Sequence, residues 1–255
     1  MILYFTGTGN SGYAAQQLAA LTDDRAIALT EPGADVDARG ERVVWVMPVY
    51  SWGVPPVVAA LMRRLDLGAT GRHFLVVTCG DDIGNTHRQW QRLARRRRWS
   101  TAGQWSLQMP NTYTLMKGFN VDSTDVARRK LEAAPTRLEH IARAIMADSD
   151  EVDVVRGSWA WAKSAIIRPW FARFAMSPRP FHALESCTGC GRCASLCPLG
   201  NIAMDGTPRW GDNCALCLRC YHACPQHAVA YGKATVGKGQ YLCPNFKFTR
   251  HDTHR

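Results

Sequence analysis

Apolar positions in the first part of the chain fall into short runs separated by helical periodicity. Residues 2–5, 25–30, 42–48, 73–79 and 104–109 read as strands. The third run contains VVWVM, apolar throughout, as expected of a parallel strand covered on both faces. Residues 11–21, 54–65, 85–99 and 123–146 carry the helical pattern between and after them. Pro55 and Pro56 suit a helix start, and Pro135 marks a point where the last helix is expected to be interrupted. Strands alternating with helices predict an α/β, doubly wound, five-stranded parallel sheet of flavodoxin-like topology over residues 1–149.

The pattern changes after that. Residues 150–181 are rich in Trp, Phe and Pro and poor in acid, and are expected to form an aromatic connector packed between domains. Residues 182–233 are dense in cysteine and predict a small α+β domain. Residues 234–255 have few apolar positions and read as an extended tail.

The chain has ten cysteines and lacks the basic and apolar regions of a secretory leader, so the expected setting is the reducing cytoplasm. Cysteines then point to metal or redox chemistry rather than disulfides. Cys187, Cys190, Cys193 and Cys197 follow C-x2-C-x2-C-x3-C with Pro198 next; Cys214, Cys217, Cys220 and Cys224 repeat it before Pro225. This is the bacterial pattern for two [4Fe–4S] clusters, in which the fourth cysteine of each run ligates the other cluster. The expected sets are Cys187, Cys190, Cys193 with Cys224, and Cys214, Cys217, Cys220 with Cys197. Structural zinc also uses CxxC pairs, but two pairs per ion rather than these four-cysteine runs. Cys79 and Cys243 fall outside the pattern, and no cluster role is expected for Cys243.

Thr6-Gly7-Thr8-Gly9-Asn10-Ser11-Gly12 follows the first strand and opens a helix. Backbone N–H groups at a helix start, with hydroxyl donors beside them, form a phosphate cradle; Asn10 or Ser11 could also cap the helix. Gly7, Gly9 and Gly12 match G-x-G-x-x-G as well, with Glu31 near the place of a ribose-binding acid, so NAD is the competing ligand. The density of hydroxyls favours a terminal monophosphate, as in FMN. Two further loops should lie at the same sheet edge. One is Pro48-Val49-Tyr50-Ser51-Trp52-Gly53, with Tyr50 and Trp52 as ring-stacking candidates. The other runs from Cys79 through Gly80, Asp81 and Gly84 to Asn85, its glycines permitting close backbone approach.

Taken together, YFTGTGNS, MPVYSWGVPP, MPNTY, CTGCGRCASLCP, CALCLRCYHACP and GKGQYLCPNF resemble the flavodoxin–ferredoxin fusion proteins of anaerobic bacteria and archaea, the ferrodoxin family. The resemblance covers Tyr4 to about Phe246. It implies FMN in the first domain, two [4Fe–4S] clusters in the second, and electron transfer between redox proteins. Cys243 and the arginine run near residue 95 depart from the family pattern.

Charge changes little in this picture. The formal net charge is +10, but bound clusters and a flavin phosphate would bring it to roughly +4. Arg92 and Arg95 to Arg98 end a helix, where positive charge is favourable; docking of an acidic redox partner is the functional alternative. Trp159, Trp161, Trp170, Phe171 and Phe174, interleaved with Lys163, Arg168 and Arg173, suit interdomain packing, with an interfacial membrane helix as the alternative. The sequence shows no nucleic-acid motif and no membrane-spanning run. The expected partner is a soluble redox protein or enzyme, and a homodimer is compatible. An enzyme reducing a small molecule at the flavin is the second reading of function.

Overall fold

The computed structural model describes residues 1–30 and 36–248. Glu31, the candidate ribose acid, lies outside the described residues, as do the Phe174 side chain and the end of the tail.

Six strands form one parallel sheet: β1 (Ile2–Tyr4), β2 (Ala26–Ala28), β3 (Val43–Pro48), β4 (His73–Cys79), β5 (Thr101–Gln108) and β6 (Val152–Asp153). Their order is β2-β1-β3-β4-β5-β6. The first five reproduce the flavodoxin-like doubly wound order, with its switch point between β1 and β3. The sixth was not expected. It is two exposed residues long and pairs in parallel with Gln104 and Trp105 of β5, too short to leave a periodic signal.

Four helices cover the sheet: α1 (Asn10–Thr22), α2 (Pro56–Arg64), α3 (Thr86–Arg96) and α4 (Thr124–Met146). One apolar layer gathers Leu3, Trp45, Val58, Met62, Leu75 and Trp90 beneath α2 and α3. The opposite layer gathers Leu18, Val44, Phe74, Trp105, Leu138 and Ile141 beneath α1 and α4. β3 and β4 therefore bury both faces, which explains their unbroken apolar runs. Pro135 does not interrupt α4, which runs through it. The proline removes one backbone hydrogen bond, while Ala134, Leu138, Ile141 and Ile145 stay buried against the sheet.

The rest of the chain wraps the carboxyl edge of the sheet. A helical segment over residues 160–175 alternates α and π turns. Strand β7 (Phe181–Ala183) pairs antiparallel with β10 (Val229–Tyr231), and β8 (Ile202–Asp205) with β9 (Thr207–Trp210). These frame a third core with Cys193, Leu216, Cys220, Tyr221 and Cys224.

The tail does not extend into solvent over its described part. Cys243 and Phe246 are buried in the α1/α4 layer, and the Cys243 N–H donates to the Thr8 carbonyl at 2.8 Å.

Candidate redox site at the carboxyl edge of the sheet

A cavity of about 450 Å³ opens where β1, β3 and β4 end. Its polar end is the Thr6–Ser11 loop. Gly9 takes φ +102°, a conformation that favours glycine, and starts α1 with no side-chain cap. The expected cap by Asn10 or Ser11 does not form. The Asn10 amide donates to the Pro110 carbonyl at 2.9 Å and accepts from the Tyr241 hydroxyl at 3.2 Å. Ser11 shares a hydrogen bond with Thr78 at 2.7 Å. The first-turn N–H groups of α1 therefore lack a side-chain acceptor, and the loop that carries them lines the cavity.

The second wall is the Tyr50 loop. Pro48, Val49, Tyr50, Ser51 and Trp52 line the cavity, and Ser51 and Trp52 sit at φ 44° and 56°. Two consecutive left-handed non-glycine residues cost about 1–3 kcal/mol each. They are held by a tight turn, in which Tyr50 and Gly53 exchange N–H···O bonds of 2.9 and 3.1 Å. Residues 160–175 add a brace. The Ser164 hydroxyl donates to the Trp52 carbonyl at 3.0 Å, and Lys163 Nζ lies 5.2 Å from the Trp52 ring centroid.

The third wall includes Cys79, Gly80 and Asp81. Burial, reinforced by Asp82 and Asp81, pushes the Cys79 thiol up to about 12, so it stays protonated. Asp82 also lines the cavity and pairs with Lys163 at 2.7 Å. Gly9, Gly53, Gly84 and Asn85 lie outside the cavity lining. The last two act as supports: the Asn85 N–H donates to Ser164 Oγ at 2.8 Å, and a Cβ at Gly84 would lie 2.8 Å from that of Trp52.

Sequence reasoning missed the far end of the cavity. Pro110, Asn111, Thr112, Tyr113, Met116 and Phe119 close it. The MPNTY motif was the available signal, but it lies beyond β5 in a stretch with no periodicity. Leu216, Cys217 and Leu218 complete the wall from the cysteine-rich region. A Cβ at Gly7 would stand 2.6 Å from the Cys217 carbonyl oxygen, so the loop and the second cysteine run meet backbone to backbone.

The eight motif cysteines form two neighbourhoods. Cys187, Cys190, Cys193 and Cys224 line one small cavity with Met204 and Pro208. Burial pushes Cys193 up to about 11, with Cys224 and Cys190 adding. In the other neighbourhood, burial raises Cys214, Cys217 and Cys220, and the Cys197 thiol adds to all three. Neutral thiols with raised pKa values become ligands only when a cation compensates the thiolate. Donors already point at the sulfurs. Asn201 N–H reaches Cys197 Sγ at 3.3 Å, Ala228 N–H reaches Cys224 at 3.2 Å, and Trp210 Nε1–H reaches Cys220 at 3.5 Å. Among the described residues no three cysteine sulfurs lie within 4.8 Å of one another.

Arg219 joins the two regions. It is 6 % exposed and has no carboxylate partner among the ion pairs of the described residues. Its guanidinium donates to the carbonyls of Thr6 at 2.6 Å, Gly7 at 2.8 Å and Leu196 at 3.0 Å. Burial lowers its pKa, and Cys217 and Cys197 oppose that. The guanidinium also lies 4.8 Å from the Phe248 ring centroid, and a buried cation held by carbonyls and a ring calls for an anion nearby. The Tyr50 hydroxyl is likewise buried without a partner. Burial holds it well above its ordinary value, with Cys217 and Cys214 adding. Both observations fit an anionic, sulfur-rich cluster beside Cys217. His222, on the short helix Arg219–Ala223 that also carries Arg219, reaches the cavity rim. It accepts from the Tyr241 N–H at Nδ1 (3.1 Å) and donates from Nε2 to the Thr112 carbonyl at 2.8 Å. Neither it nor His227 is needed as a ligand.

The arginine run has a structural task at the other end of the molecule. Arg97 donates to the carbonyls of Arg63 and Leu65 at 3.2 and 2.7 Å, closing the end of α2. Because α3 begins at the cavity edge and runs away from it, this basic end stands roughly 16 Å from that edge.

Residues 182–203 match the family model described as 4Fe-4S binding domain. No curated protein matches the chain. Among solved structures, the chain is similar to the Trp repressor binding protein from Bacillus subtilis, at 13 % identity over 54 % of this chain and 95 % of that one, TM-score 0.35. It is similar to a candidate flavoprotein from Bacteroides uniformis ATCC 8492, at 14 % identity over 52 % and 96 %, TM-score 0.33. It is also similar to NAD(P)H:quinone oxidoreductase from Methanothermobacter marburgensis, at 8 % identity over 55 % and 94 %, TM-score 0.30. At these scores the likenesses carry no argument. The fold assignment rests on strand order, and the iron–sulfur assignment on the matched segment and its cysteine spacing.

Proposed function

We propose that this chain is an iron–sulfur flavoprotein that transfers electrons between two [4Fe–4S] clusters and FMN, in the manner of the flavodoxin–ferredoxin fusion proteins. The Thr6–Ser11 loop would hold the phosphate, with Trp52 and the Cys79–Asp81 loop flanking the ring. The inner cluster would take Cys214, Cys217, Cys220 and Cys197; the outer would take Cys187, Cys190, Cys193 and Cys224. The observation that carries the reading is Cys217, which belongs to the second cysteine run and also lines the cavity. The outer set includes the exposed Cys190, so a one-electron partner would meet the chain there.

Bound FMN supplies one- or two-electron chemistry and the clusters one electron at a time. The chain's own groups set the conditions. Tyr113, Met116 and Phe119 line the far end, Arg219 would place positive charge beside the inner thiolates, and N–H···S bonds would bias the cluster potentials.

Anaerobic purification followed by iron, acid-labile sulfide and FMN analysis tests this. About eight irons and one FMN per chain are expected. Cys190→Ala should damage one cluster and spare the flavin, whereas Cys217→Ala should lower both inner-cluster iron and FMN retention. Zinc in place of iron, or unchanged iron in both variants, overturns the reading.

The apolar end of the cavity favours a second reading, direct reduction of a small molecule at the flavin. Turnover by the purified protein with a chemical reductant and no protein partner would establish it.

A further inference from the structure

The segment over residues 160–175 has its polarity inside out. Ala160 and Phe171 aside, the side chains that face the protein are polar. Lys163 pairs with Asp82, Ser164 bonds Trp52, and the buried Arg168 reaches Gln89 at 3.2 Å and the Val54 carbonyl. The exposed side chains are largely apolar: Trp161 is 68 % exposed and Ile166 59 %, with Trp159 just ahead at 83 %, while Ile167 at 45 % and Trp170 at 58 % border the cavity. Interdomain packing therefore does not account for Trp159 and Trp161; Phe171, by contrast, is buried, edge-on to Tyr113. Trp159 also sits at φ 57°, a left-handed conformation costing a bulky residue about 1–2 kcal/mol. At 83 % exposure, packing within the chain does not offset it.

Charge identifies what covers this face. Between Asp153 and Glu185 there is no acidic residue, while Arg156, Lys163, Arg168, Arg173 and Arg179 are basic. Arg156, Arg173 and Arg179 are exposed and flank the apolar face along the chain. A second copy related by a two-fold axis would bring this basic rim against itself. Tryptophans flanked by arginines, on a helix whose polar side is already docked, match the headgroup boundary of an anionic bilayer. No helix among the described residues is long and apolar enough to cross a membrane, so the contact is with the surface.

We propose that residues 159–170 seat this protein on an anionic lipid surface, with Trp159, Trp161, Ile166 and Ile167 at the headgroup–acyl boundary. The proposal goes beyond the redox reading and does not depend on it. Ile167 and Trp170 also line the cavity, so its rim would lie at the lipid boundary.

The test uses the full chain with its cofactors, sedimented with vesicles of phosphatidylcholine alone or mixed with phosphatidylglycerol, with tryptophan emission recorded. Binding to the anionic vesicles, a blue shift on binding and weakening by salt are expected. A Trp159→Ser, Trp161→Ser double variant should bind roughly tenfold more weakly. Its iron and flavin content should stay at parent levels, since neither side chain is in the core. An Arg95→Gln, Arg96→Gln control, remote from this face, should bind as the parent does. No binding at low salt, parent-like binding by the tryptophan variant, or an equal loss in the arginine control overturns the proposal. So does tryptophan-dependent dimerisation without lipid, which would assign the face to a second copy. Tryptophan-dependent binding of an acidic ferredoxin, with vesicles ignored, would assign it to a protein and overturn it equally.

Discussion

The sheet-bearing region and the cysteine-rich region stabilise themselves by opposite means. In the first, two apolar layers close on a six-stranded ladder, and Trp45, Phe74, Trp90 and Trp105 are essentially inaccessible to solvent. In the second, two short strand pairs surround a small core in which Cys193, Cys220 and Cys224 stand where aliphatic side chains would otherwise be. One region carries its cohesion in hydrocarbon. The other shares a small interior between apolar side chains and thiols, and burial favours the neutral form of Cys193 and Cys220, so part of its cohesion would come from a bound metal core. The comparison teaches that two regions of one chain need not be equally self-sufficient.

The largest test of this contrast is iron removal. Chelation under reducing conditions should abolish amide-exchange protection in β8, β9 and the Arg219–Ala223 helix while β3 and β4 keep theirs. Equal loss in both regions would make them one cooperative unit, and equal retention would mean the cysteine region holds without metal.

A smaller effect should appear where the regions touch. Arg219→Met strands the carbonyls of Thr6, Gly7 and Leu196, a destabilisation of about 3–5 kcal/mol. A merely structural role would stop there. If Arg219 is the counter-charge to the inner cluster, its loss should also leave one reduction potential lower and the other unmoved. Redox titration of the variant followed by cluster spectroscopy separates the two roles.

The smallest effect belongs to the sheet region alone. His73 is wholly buried, accepts from Trp45 Nε1–H at 3.0 Å through Nδ1 and faces Thr70 at 2.7 Å through Nε2. Burial lowers its pKa to about 4. The unfolded chain binds the proton first, near pH 6.5, so stability should fall as pH drops from about 6.5 to about 4, by up to about 3 kcal/mol. Urea melts at several pH values should show this slope in the parent and a flatter one in His73→Gln.

How much of this was legible in the residues divides along the same line. Parallel strands buried on both faces announce themselves as continuous apolar runs, so β3 and β4 were placed nearly to the residue. Cysteine spacing exposed the iron–sulfur motif because thiolate ligation tolerates few alternatives. The β8–β9 hairpin went unread although Asp205-Gly206 is a turn signal; its strands are short and mostly exposed. Arg219 and the Tyr113–Phe119 wall were out of reach for another reason. An arginine inside a cysteine run is only a charge until Thr6 and Gly7, more than 200 positions away, supply its acceptors. Contacts of that span leave no local periodicity.

The belt of late residues around the Thr6–Ser11 loop sets a clock. Arg219 holds its carbonyls, Cys243 bonds Thr8, and a Cβ at Gly12 would collide with the Phe246 ring at 2.4 Å. At roughly 5–20 residues per second, a ribosome needs about 10–50 s to travel from that loop to Cys243. Throughout that interval β1 and its loop exist without the groups that finish them. On the proposed flavin reading, cofactor loading would be a late, post-translational event, and a nascent chain carrying only the sheet would present an unfinished cradle to the cell's flavin pool.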